Sequence, residues 1–380
     1  MTEDLPLGLY VHVPWCVRKC PYCDFNSHVH KGELPERRYV EALLSDLERE
    51  AAQVPGRVVS SIFFGGGTPS LLAAETVHDL LRGIHDRIAV SHDAEISLEA
   101  NPGTVERGRF AGYREAGVNR LSLGAQTFGT RQLQALGRIH STDDIGAAVL
   151  EANAAGLGNF NLDLMHGLPE QSVEEALVDV QRAIDLGPTH LSHYQLTLEP
   201  GTVFHSQPPP LPDEDQAEAI EAVTHAAIAA AGFRRYEVSA WARPGAECRH
   251  NLNYWRYGDY LGIGAGAHGK RSRDGRVVRT ERIRSPREYM AAVEQDTPHP
   301  QRDIPPVERP FEYFLNALRL TGGFGAGEFE SATGVAIGAV EPILHRAVSR
   351  GLLETTVQGW RPTALGLRFL NDLQGLFLAS

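Results

Sequence analysis

The first half of the chain alternates short apolar runs with stretches of helical periodicity. The first such stretch follows the start signal Pro35-Glu36 and places Val40, Leu43, Leu44 and Leu47 on one helical face. Strand, helix, strand repeated in this way predicts parallel strands with right-handed crossovers, in either a doubly wound sheet or a barrel. The six predicted strands are LGLYVHVP (7–14), VSSIFFGGG (59–67), AEISLEAN (94–101), VNRLSLGAQ (118–126), GNFNLDLMHG (158–167) and HLSHYQLTL (190–198).

Alternation within these runs favours the barrel. A parallel strand covered by helices on both faces should be apolar almost throughout, yet one face of several runs is polar. This predicts an open barrel of six strands, with helices on the apolar outside, a ligand in the lumen and chemistry at the C-terminal ends of the strands. The alternative is that the polar residues face solvent on edge strands. The polar face carries Tyr10, His12, Ser97, Glu99, Ser122, Gln126, Asn161 and Asp163, and the apolar face Leu9, Leu98, Leu123, Leu162 and Leu164.

The repeat ends after Pro200, where a Pro-rich connection (206–216) begins. A second αβ stretch follows, with YEVSAWA (236–242) and the Gly-rich YLGIGAGAHGK (260–270). From about Pro305 the order helix, helix, β-ribbon, helix resembles a winged-helix module. We therefore predict an α/β protein with a partial (β/α)6 barrel over 1–235, an α/β extension closing the barrel over 236–304, and a winged-helix-like module over 305–380.

Composition and charge narrow the range of possible partners and cellular locations. The 380 residues carry a net charge of -12, which gives no electrostatic attraction for nucleic acid, so a DNA or RNA partner is not expected. The N-terminus lacks a signal-peptide pattern, and no apolar run reaches the roughly 20 residues of a bilayer span, so we expect a cytoplasmic protein without an integral membrane segment. The 4 cysteines, three of them clustered, fit a reducing compartment.

The clustered cysteines lie in WCVRKCPYCDFN (15–26) with the spacing C-x3-C-x2-C, just after the first strand. Cys16, Cys20 and Cys23 could hold a 4Fe-4S cluster with one iron open, or a zinc ion with His12 or His28 as the fourth ligand. Structural zinc sites usually pair two C-x2-C turns, and only one is present, which favours the cluster. The remaining cysteine, Cys248, is expected to be a buried thiol rather than a remote ligand.

With these residues the chain resembles the radical S-adenosylmethionine (radical SAM) family, through CVRKCPYC and the glycine-rich FFGGGTP (63–69). The resemblance implies that the amino and carboxylate groups of S-adenosylmethionine occupy the open iron. It extends over nearly the whole chain to the branch that contains oxygen-independent coproporphyrinogen III dehydrogenases and related heme chaperones. It implies that Tyr10 and Tyr22 lie beside the cluster, that Gly66, Gly67 and Thr68 hold the methionine moiety, and that Glu99, Gln126, Arg138 and Asp163 bind the cofactor, present as one molecule or two.

Two departures separate the chain from the dehydrogenases. Those enzymes carry a further cysteine where Phe25 stands here, and a longer N-terminal arm ahead of the first strand. Together with HNLNYW (250–255), these departures imply the chaperone type, which binds heme and delivers it to an acceptor protein, with an electron donor for the cluster; homodimer formation is left open. The alternatives are a coproporphyrinogen III dehydrogenase, which works by radical decarboxylation, and a zinc-organised binding module.

A heme site needs an imidazole or thiolate, aromatic walls and cationic partners for the propionates. The segment CRHNLNYWRYGDY (248–260) gathers such residues outside the six-strand repeat, and His250 is its candidate axial ligand. The alternative is structural: an aromatic loop that closes the barrel, with His250 hydrogen-bonded to backbone.

Overall fold

One 12-stranded sheet organises the computed structural model, which describes residues 5–103 and 108–378. Two short two-stranded pairs, β2–β3 and β15–β16, lie apart from that sheet. The strands are β1 (Leu7–Val13), β2 (Trp15–Cys16), β3 (His28–Val29), β4 (Val58–Gly66), β5 (Ala89–Ala100), β6 (Arg120–Gln126), β7 (Phe160–His166), β8 (His190–Gln195), β9 (Arg234–Arg235), β10 (Ala240–Ala242), β11 (Asp259–Ile263), β12 (His268–Arg273), β13 (Arg276–Glu281), β14 (Gln301–Asp303), β15 (Leu353–Thr355) and β16 (Trp360–Pro362).

Helices follow the first six long strands as the periodicity predicts. The first helix begins directly after Pro35 and buries Leu43 and Leu47 against the sheet, with Val40 and Leu44 at its margin. In the described ranges, no helix is both long and apolar enough to cross a membrane. The helices are α1 (Glu36–Ala51), α2 (Ala74–His85), α3 (Phe110–Ala116), α4 (Thr130–Ala135), α5 (Thr142–Ala154), α6 (Val173–Asp185), α7 (Val203–Ser206), α8 (Glu214–Ala230), α9 (Arg249–Trp255), α10 (Pro286–Glu294), α11 (Arg309–Ala317), α12 (Ala326–Thr333), α13 (Glu341–Ser349), α14 (Ala364–Arg368) and α15 (Leu370–Gly375).

The six predicted strands are all present and lie side by side in chain order, β1-β4-β5-β6-β7-β8, with every neighbouring pair parallel. The leucines of the predicted apolar face are buried in one core with the helices. The polar face lines a cavity inside the sheet, so the edge-strand alternative is wrong. The barrel stays open because β1 pairs with β11 and β8 pairs with β10. The predicted partial barrel is therefore confirmed.

Strands of the predicted extension, together with β9 just before it, lengthen both edges of the six-strand sheet. Strand β11 continues the sheet in parallel beside β1, followed by antiparallel β12, β13 and β14, while β10 and β9 extend the other edge. The segment 249–255, which contains all of HNLNYW, is a helix rather than a loop, and this helix, α9, contacts β1, β4 and β11. The extension therefore contacts the barrel at its first two strands, β1 and β4.

The C-terminal part is helical with one short ribbon, β15–β16, as the pattern predicts. It contains one helix more than expected, α12, between the two predicted helices, and the last predicted helix is divided into α14 and α15. Its aromatic core, around Phe314 and Phe329, also takes in Tyr257 and Val277 of the extension. The division of the chain at 235 and 304 remains a prediction.

A buried ion network fixes the extension to α1. Both Asp46 on α1 and Arg282, just after β13, have fully buried side chains and form a salt bridge of 3.0 Å. The Asp46 carboxylate also accepts a hydrogen bond of 2.8 Å from the Tyr289 hydroxyl of α10, and Glu50 adds a second carboxylate 2.9 Å from Arg282. Because a buried charge is costly without its partner, this network ties the three elements together.

We expect Asp46→Asn to lower the free energy of unfolding by about 3 kcal/mol, because it leaves the buried Arg282 guanidinium undercompensated. The matched control is Arg38→Ala, which removes an ion pair with Glu294 between α1 and α10 whose side chains are 47% and 49% exposed. That control should cost less than about 1 kcal/mol. Urea unfolding of both variants measures the difference, and equal losses would show that the buried network does not hold the extension.

Candidate functional site

The cysteine loop follows β1 and leaves all three sulfurs half-buried. A hydroxyl or guanidinium group lies near each sulfur. The Thr68 hydroxyl donates to Cys16 Sγ at 3.5 Å, and Arg138 Nη1 donates to Cys20 Sγ at 3.8 Å. The hydroxyl of Ser27, which follows the triad, lies 3.8 Å from Cys23 Sγ. Donors of this kind stabilise negative charge on sulfur, which suits thiolate ligands.

Contacts on both sides hold the loop in place. Its ends pair as β2 and β3, with Trp15 opposite His28. Lys19 Nζ donates inside the loop to the carbonyl oxygens of Phe25 and Ser27, at 3.2 and 3.3 Å. Asn26 Nδ2 donates to the carbonyl oxygens of residues 265 and 284 of the extension, both at 2.9 Å. The loop is therefore anchored to the barrel and to the extension at once.

The triad fits a 4Fe-4S cluster better than zinc. Burial raises the pKa of Cys16 and of Cys23, and bound iron would offset this cost because it stabilises the thiolate form. Both ring nitrogens of His12 are engaged, since Nδ1 accepts from the Tyr10 hydroxyl at 3.0 Å and Nε2 donates to Asn26 O at 2.9 Å.

The other candidate zinc ligand, His28, has its Nε2 3.1 Å from Arg284 O. Within 5–103 and 108–378, no group of three or more His, Cys, Asp or Glu side chains is arranged to hold a metal ion. The fit to a cluster therefore rests on the cysteine spacing and on the donors around the sulfurs.

Cys248 lies away from the triad, at the N-terminus of α9, and is fully buried. Its Sγ is 3.4 Å from Glu95 Oε1, and burial raises its pKa to about 12. Glu95 precedes Glu99 on β5 by four residues, about 13 Å along a strand, so this thiol belongs to the opposite end of the barrel.

The glycine turn after β4 lies directly against the cysteine loop. Gly66 has a φ of +114°, and a Cβ there would lie 2.5 Å from the His12 ring. A Cβ on Gly67 would lie 2.5 Å from the carbonyl oxygen of Trp15. Only glycine fits at both positions, so the backbone beside the cysteines carries no side chain at residues 66 and 67. Thr68 continues the turn and accepts a hydrogen bond of 3.0 Å from Asn101 Nδ2.

Two carboxylates face the lumen, a cavity of about 300 Å³ inside the six-strand sheet. Glu99 accepts a hydrogen bond of 3.1 Å from Gly66 N, and its pKa is raised to about 8 by burial and by the charge of Asp163. Asp163 accepts from Ser122 Oγ at 3.1 Å and from Asn161 Nδ2 at 2.8 Å. Burial raises the pKa of Asp163 as well, although these hydrogen bonds oppose the shift.

The remaining predicted residues lie around the same end of the barrel. Tyr10 borders the lumen. Gln126 ends β6 with a φ of +67° and accepts a hydrogen bond of 2.7 Å from the Tyr194 hydroxyl. Tyr22 contacts the Phe204 ring and interacts with Cys20 and Arg138. Binding of cofactor by these residues remains a prediction.

Arg138 is half-buried rather than a solvated surface residue. Besides Cys20, it donates to Gly124 O at 2.8 Å and to the side-chain oxygen of Asn101. Asn101 thereby links Arg138 to Thr68, and sequence reasoning missed it. Its position two residues beyond Glu99, at the C-terminal end of a predicted strand, was the signal that could have identified it.

His250 lies inside the barrel on α9. Its Nδ1 lies 3.1 Å from the Ser61 hydroxyl, its ring stacks on Phe63 with centroids 5.1 Å apart, and its backbone N–H donates to Glu95 Oε1 at 3.2 Å. Burial lowers its pKa to about 3. The ring therefore bonds a serine hydroxyl instead of the expected backbone group, and it borders the same lumen as Asp163.

Comparison with known proteins places this architecture in context. The profile of the radical SAM superfamily matches residues 10–182, and the HemN C-terminal domain matches residues 304–369. The heme chaperone HemW of Escherichia coli (strain K12) is 51% identical over 380 residues, with 100% of both chains covered. The heme chaperone HemW of Haemophilus influenzae is 46% identical over 383 residues, covering 100% of this chain and 99% of that one.

A solved structure shares the fold. Coproporphyrinogen III oxidase (HemN) from Escherichia coli, a radical SAM enzyme, superposes with a TM-score of 0.83 at 24% identity, covering 99% of this chain and 90% of that chain. At this identity the likeness establishes the architecture and leaves the activity to other arguments.

If the triad holds the cluster, replacing Cys16, Cys20 or Cys23 with Ala should abolish the brown 4Fe-4S chromophore after anaerobic reconstitution, because each removes one of three thiolate ligands. Cys248→Ala is the matched control and should keep the chromophore. Absorption spectra and iron content measure the outcome. Loss of the chromophore in the Cys248 variant would contradict an iron left open for an exogenous ligand.

The raised pKa of Glu99 predicts a pH-dependent stability. Its carboxyl binds a proton more tightly in the folded than in the unfolded state, so its stabilising contribution should be lost as pH rises from about 5 to about 8. Glu99→Gln should remove that loss and be more stable than the unaltered chain at pH 8.5, by about 1 to 2 kcal/mol, a value reduced because solvent screens a half-buried group.

Urea unfolding of the cluster-free protein across this pH range measures the effect. Glu41→Gln, on the exposed face of α1, should leave the profile unchanged. Parallel profiles for Glu99→Gln and the unaltered chain would show that Glu99 is ionised throughout.

Proposed function

Because this chain belongs to the HemW family of radical SAM proteins, we propose that it is a heme chaperone, which binds heme and passes it to an acceptor protein. The observation that carries the proposal is the 51% identity to a heme chaperone over the full length of both chains. The sequence difference at Phe25 supports it, because the dehydrogenases that the chain resembles have a further cysteine there.

The cofactor assignment rests on the donors around the glycine turn. Cys16, Cys20 and Cys23 would hold a 4Fe-4S cluster, and S-adenosylmethionine would occupy its open iron. The bare backbone of Gly66 and Gly67, with Thr68, suits the methionine moiety. When bound, the reduced cluster can supply an electron to the sulfonium, and a barrel lumen protects a reactive intermediate from water.

Side chains that line the lumen are suited to different groups of S-adenosylmethionine. Glu99 suits a cationic amino group, because such a partner would favour the ionised carboxylate over its proton. Asp163 suits a pair of ribose hydroxyls. Each of its oxygens accepts one hydrogen bond from a neutral donor, Ser122 or Asn161, and each can accept another. Tyr10, Tyr22, Gln126 and Arg138 complete the proposed cofactor shell, the last through its contact with Cys20.

An electron donor would reach the cluster from the side of the cysteine loop. The sulfurs are half-buried, and Val17 and Phe25, in and just after the triad, are 44% and 61% exposed. Apolar side chains around a redox centre are suited to a transient protein contact. We place the protein in the cytoplasm, because a reducing compartment preserves the free thiols that the cluster requires.

The second candidate is an oxygen-independent coproporphyrinogen III dehydrogenase. The sequence resemblance to these dehydrogenases is the reason to test it, and the fold shared with HemN is compatible with it without favouring it. The two functions predict different outcomes in one preparation. After anaerobic reconstitution, we expect saturable binding of heme and no decarboxylation of coproporphyrinogen III, because the chain matches the chaperones over its full length.

Heme titration by absorbance and product analysis by mass spectrometry measure these outcomes, with Escherichia coli HemN as the positive control for decarboxylation. Consumption of S-adenosylmethionine with formation of decarboxylated porphyrinogen would contradict the chaperone and establish the dehydrogenase. A colourless, iron-free protein after reconstitution would instead support the third alternative, a zinc-organised binding module.

A further inference from the structure

A tight turn ends β6 at the cofactor end of the barrel. Thr127 N donates to the carbonyl oxygen of Ala125 at 2.9 Å, which closes a three-residue γ-turn around Gln126. Gln126 has a φ of +67°, and a γ-turn with a positive φ at its central residue is the rare, strained form. A residue other than glycine keeps such a conformation only where the surrounding structure determines it.

The turn directs the Gln126 side chain toward Arg138. The pairing of β6 with β7 is irregular just before Gln126, and such a bulge re-aims the side chain at the end of a strand. A Cβ on Gly124 would lie 3.0 Å from Gln126 Nε2 and 3.2 Å from Arg138 Nη2, so the Gln126 amide lies over bare backbone beside that arginine. Its Oε1 accepts from the Tyr194 hydroxyl, while Nε2 donates to no residue that the structure describes. This N–H group is therefore available to a ligand.

A buried carboxylate on α6 holds the turn from outside the barrel. Asp179 Oδ1 accepts a hydrogen bond of 2.7 Å from Phe128 N, and Oδ2 accepts one of 2.6 Å from the Thr127 hydroxyl. That hydroxyl in turn accepts from Gly129 N at 2.9 Å. One carboxylate therefore binds both residues that directly follow Gln126. Because charge-assisted hydrogen bonds are stronger than neutral ones, these contacts can maintain the strained turn.

Asp179 lies among the buried residues of α6, which are otherwise apolar. That helix buries Ala176, Val180 and Ala183, and Asp179 is only 6% exposed. Burial raises the pKa of Asp179 to about 6, although the hydrogen bonds from the turn and the charge of Arg182 oppose the shift. A buried carboxylate costs free energy that an apolar residue would not, so packing alone does not explain an aspartate at this position.

The same carboxylate is linked to the exit of β7. Gln171 is fully buried, its Nε2 donates to Asp179 Oδ2 at 3.4 Å, and its Oε1 accepts from Leu168 N at 3.1 Å. Leu168 lies two residues beyond the end of β7, the strand that carries Asp163. Asp179 therefore connects the ends of the two neighbouring strands that carry Gln126 and Asp163.

We infer that Asp179 is a positioning residue for S-adenosylmethionine: by holding Thr127 and Phe128, it keeps Gln126 in the conformation that binds the cofactor. Asp179 does not line the lumen, so its effect on the cofactor passes through the turn. The inference rests on the proposed binding of S-adenosylmethionine, and it does not depend on whether the chain delivers heme.

The test compares two neighbouring buried residues of α6 in the full-length, reconstituted protein. Asp179→Ala should lower the affinity for S-adenosylmethionine by about tenfold, the equivalent of about one hydrogen bond, as measured by calorimetry. Asp179→Asn keeps an acceptor for Phe128 N and should lose about threefold, so it provides the test if the alanine variant does not fold. Val180→Ala is the matched control, because it leaves a cavity on the same helix and should keep the affinity.

A double-mutant cycle separates positioning from a general loss of stability. Adding Asp179→Ala to Gln126→Ala should cause no further loss of affinity, because Asp179 acts only through Gln126. Additive losses would overturn the inference. Equal affinity in Asp179→Ala and the unaltered chain would also overturn it, as would an equal loss in Val180→Ala.

Hydrogen exchange in the cluster-free protein gives a reading that needs no cofactor. Exchange of the amides of residues 127 and 128 should accelerate in Asp179→Ala and stay unchanged in Val180→Ala, because only the first substitution releases the turn. Unchanged exchange in Asp179→Ala would show that Asp179 does not hold the turn. If the turn is released but the unaltered, reconstituted protein binds no S-adenosylmethionine, the proposed cofactor is wrong, and the positioning role fails with it.

Discussion

A backbone-to-backbone contact between the glycine turn and the start of the cysteine loop determines the geometry of the site. Gly67 N donates to Val13 O at 2.7 Å, and any Cβ at Gly67 would collide with Trp15. The residues on either side extend the contact, since Thr68 donates to Cys16 and Gly66 N donates to Glu99. The cysteine loop and the first three barrel strands are thereby set relative to one another by a turn that has no room for side chains. This explains why glycine is needed at both Gly66 and Gly67, where one glycine would suffice for a simple bend.

The extension joins the sheet beside the first barrel strand. Strand β11 pairs with β1 and continues the sheet past the barrel edge, while α9 contacts β1 and β4 and places His250 at the wall of the lumen. A second cavity adjoins the lumen there, because Tyr10, Glu99 and Tyr254 border both. The extension therefore completes the wall of the proposed cofactor site.

Much of this architecture could be predicted from the sequence, because a period of two along a strand directly reports which residues share a face. That periodicity alone predicts that Tyr10, Glu99 and Asp163 lie inside the barrel. Residues outside the strands carry no such signal: Arg138 follows a short helix and was found by resemblance alone. The helix α9 was missed because seven residues with two asparagines and two large aromatics have little intrinsic helix propensity, and its contacts with β1, β4 and β11 stabilise it instead.

The dependence of the cysteine loop on the glycine turn can be measured most directly by comparing the iron content of Gly67→Ala and Gly146→Ala after anaerobic reconstitution. A Cβ on Gly67 would lie 2.5 Å from the carbonyl oxygen of Trp15, whereas a Cβ on Gly146, on α5, would meet no atom within 4 Å. Gly67→Ala should therefore lose most of the iron that Gly146→Ala retains. Equal iron content in the two variants would show that the turn does not set the cysteine loop and would contradict the account.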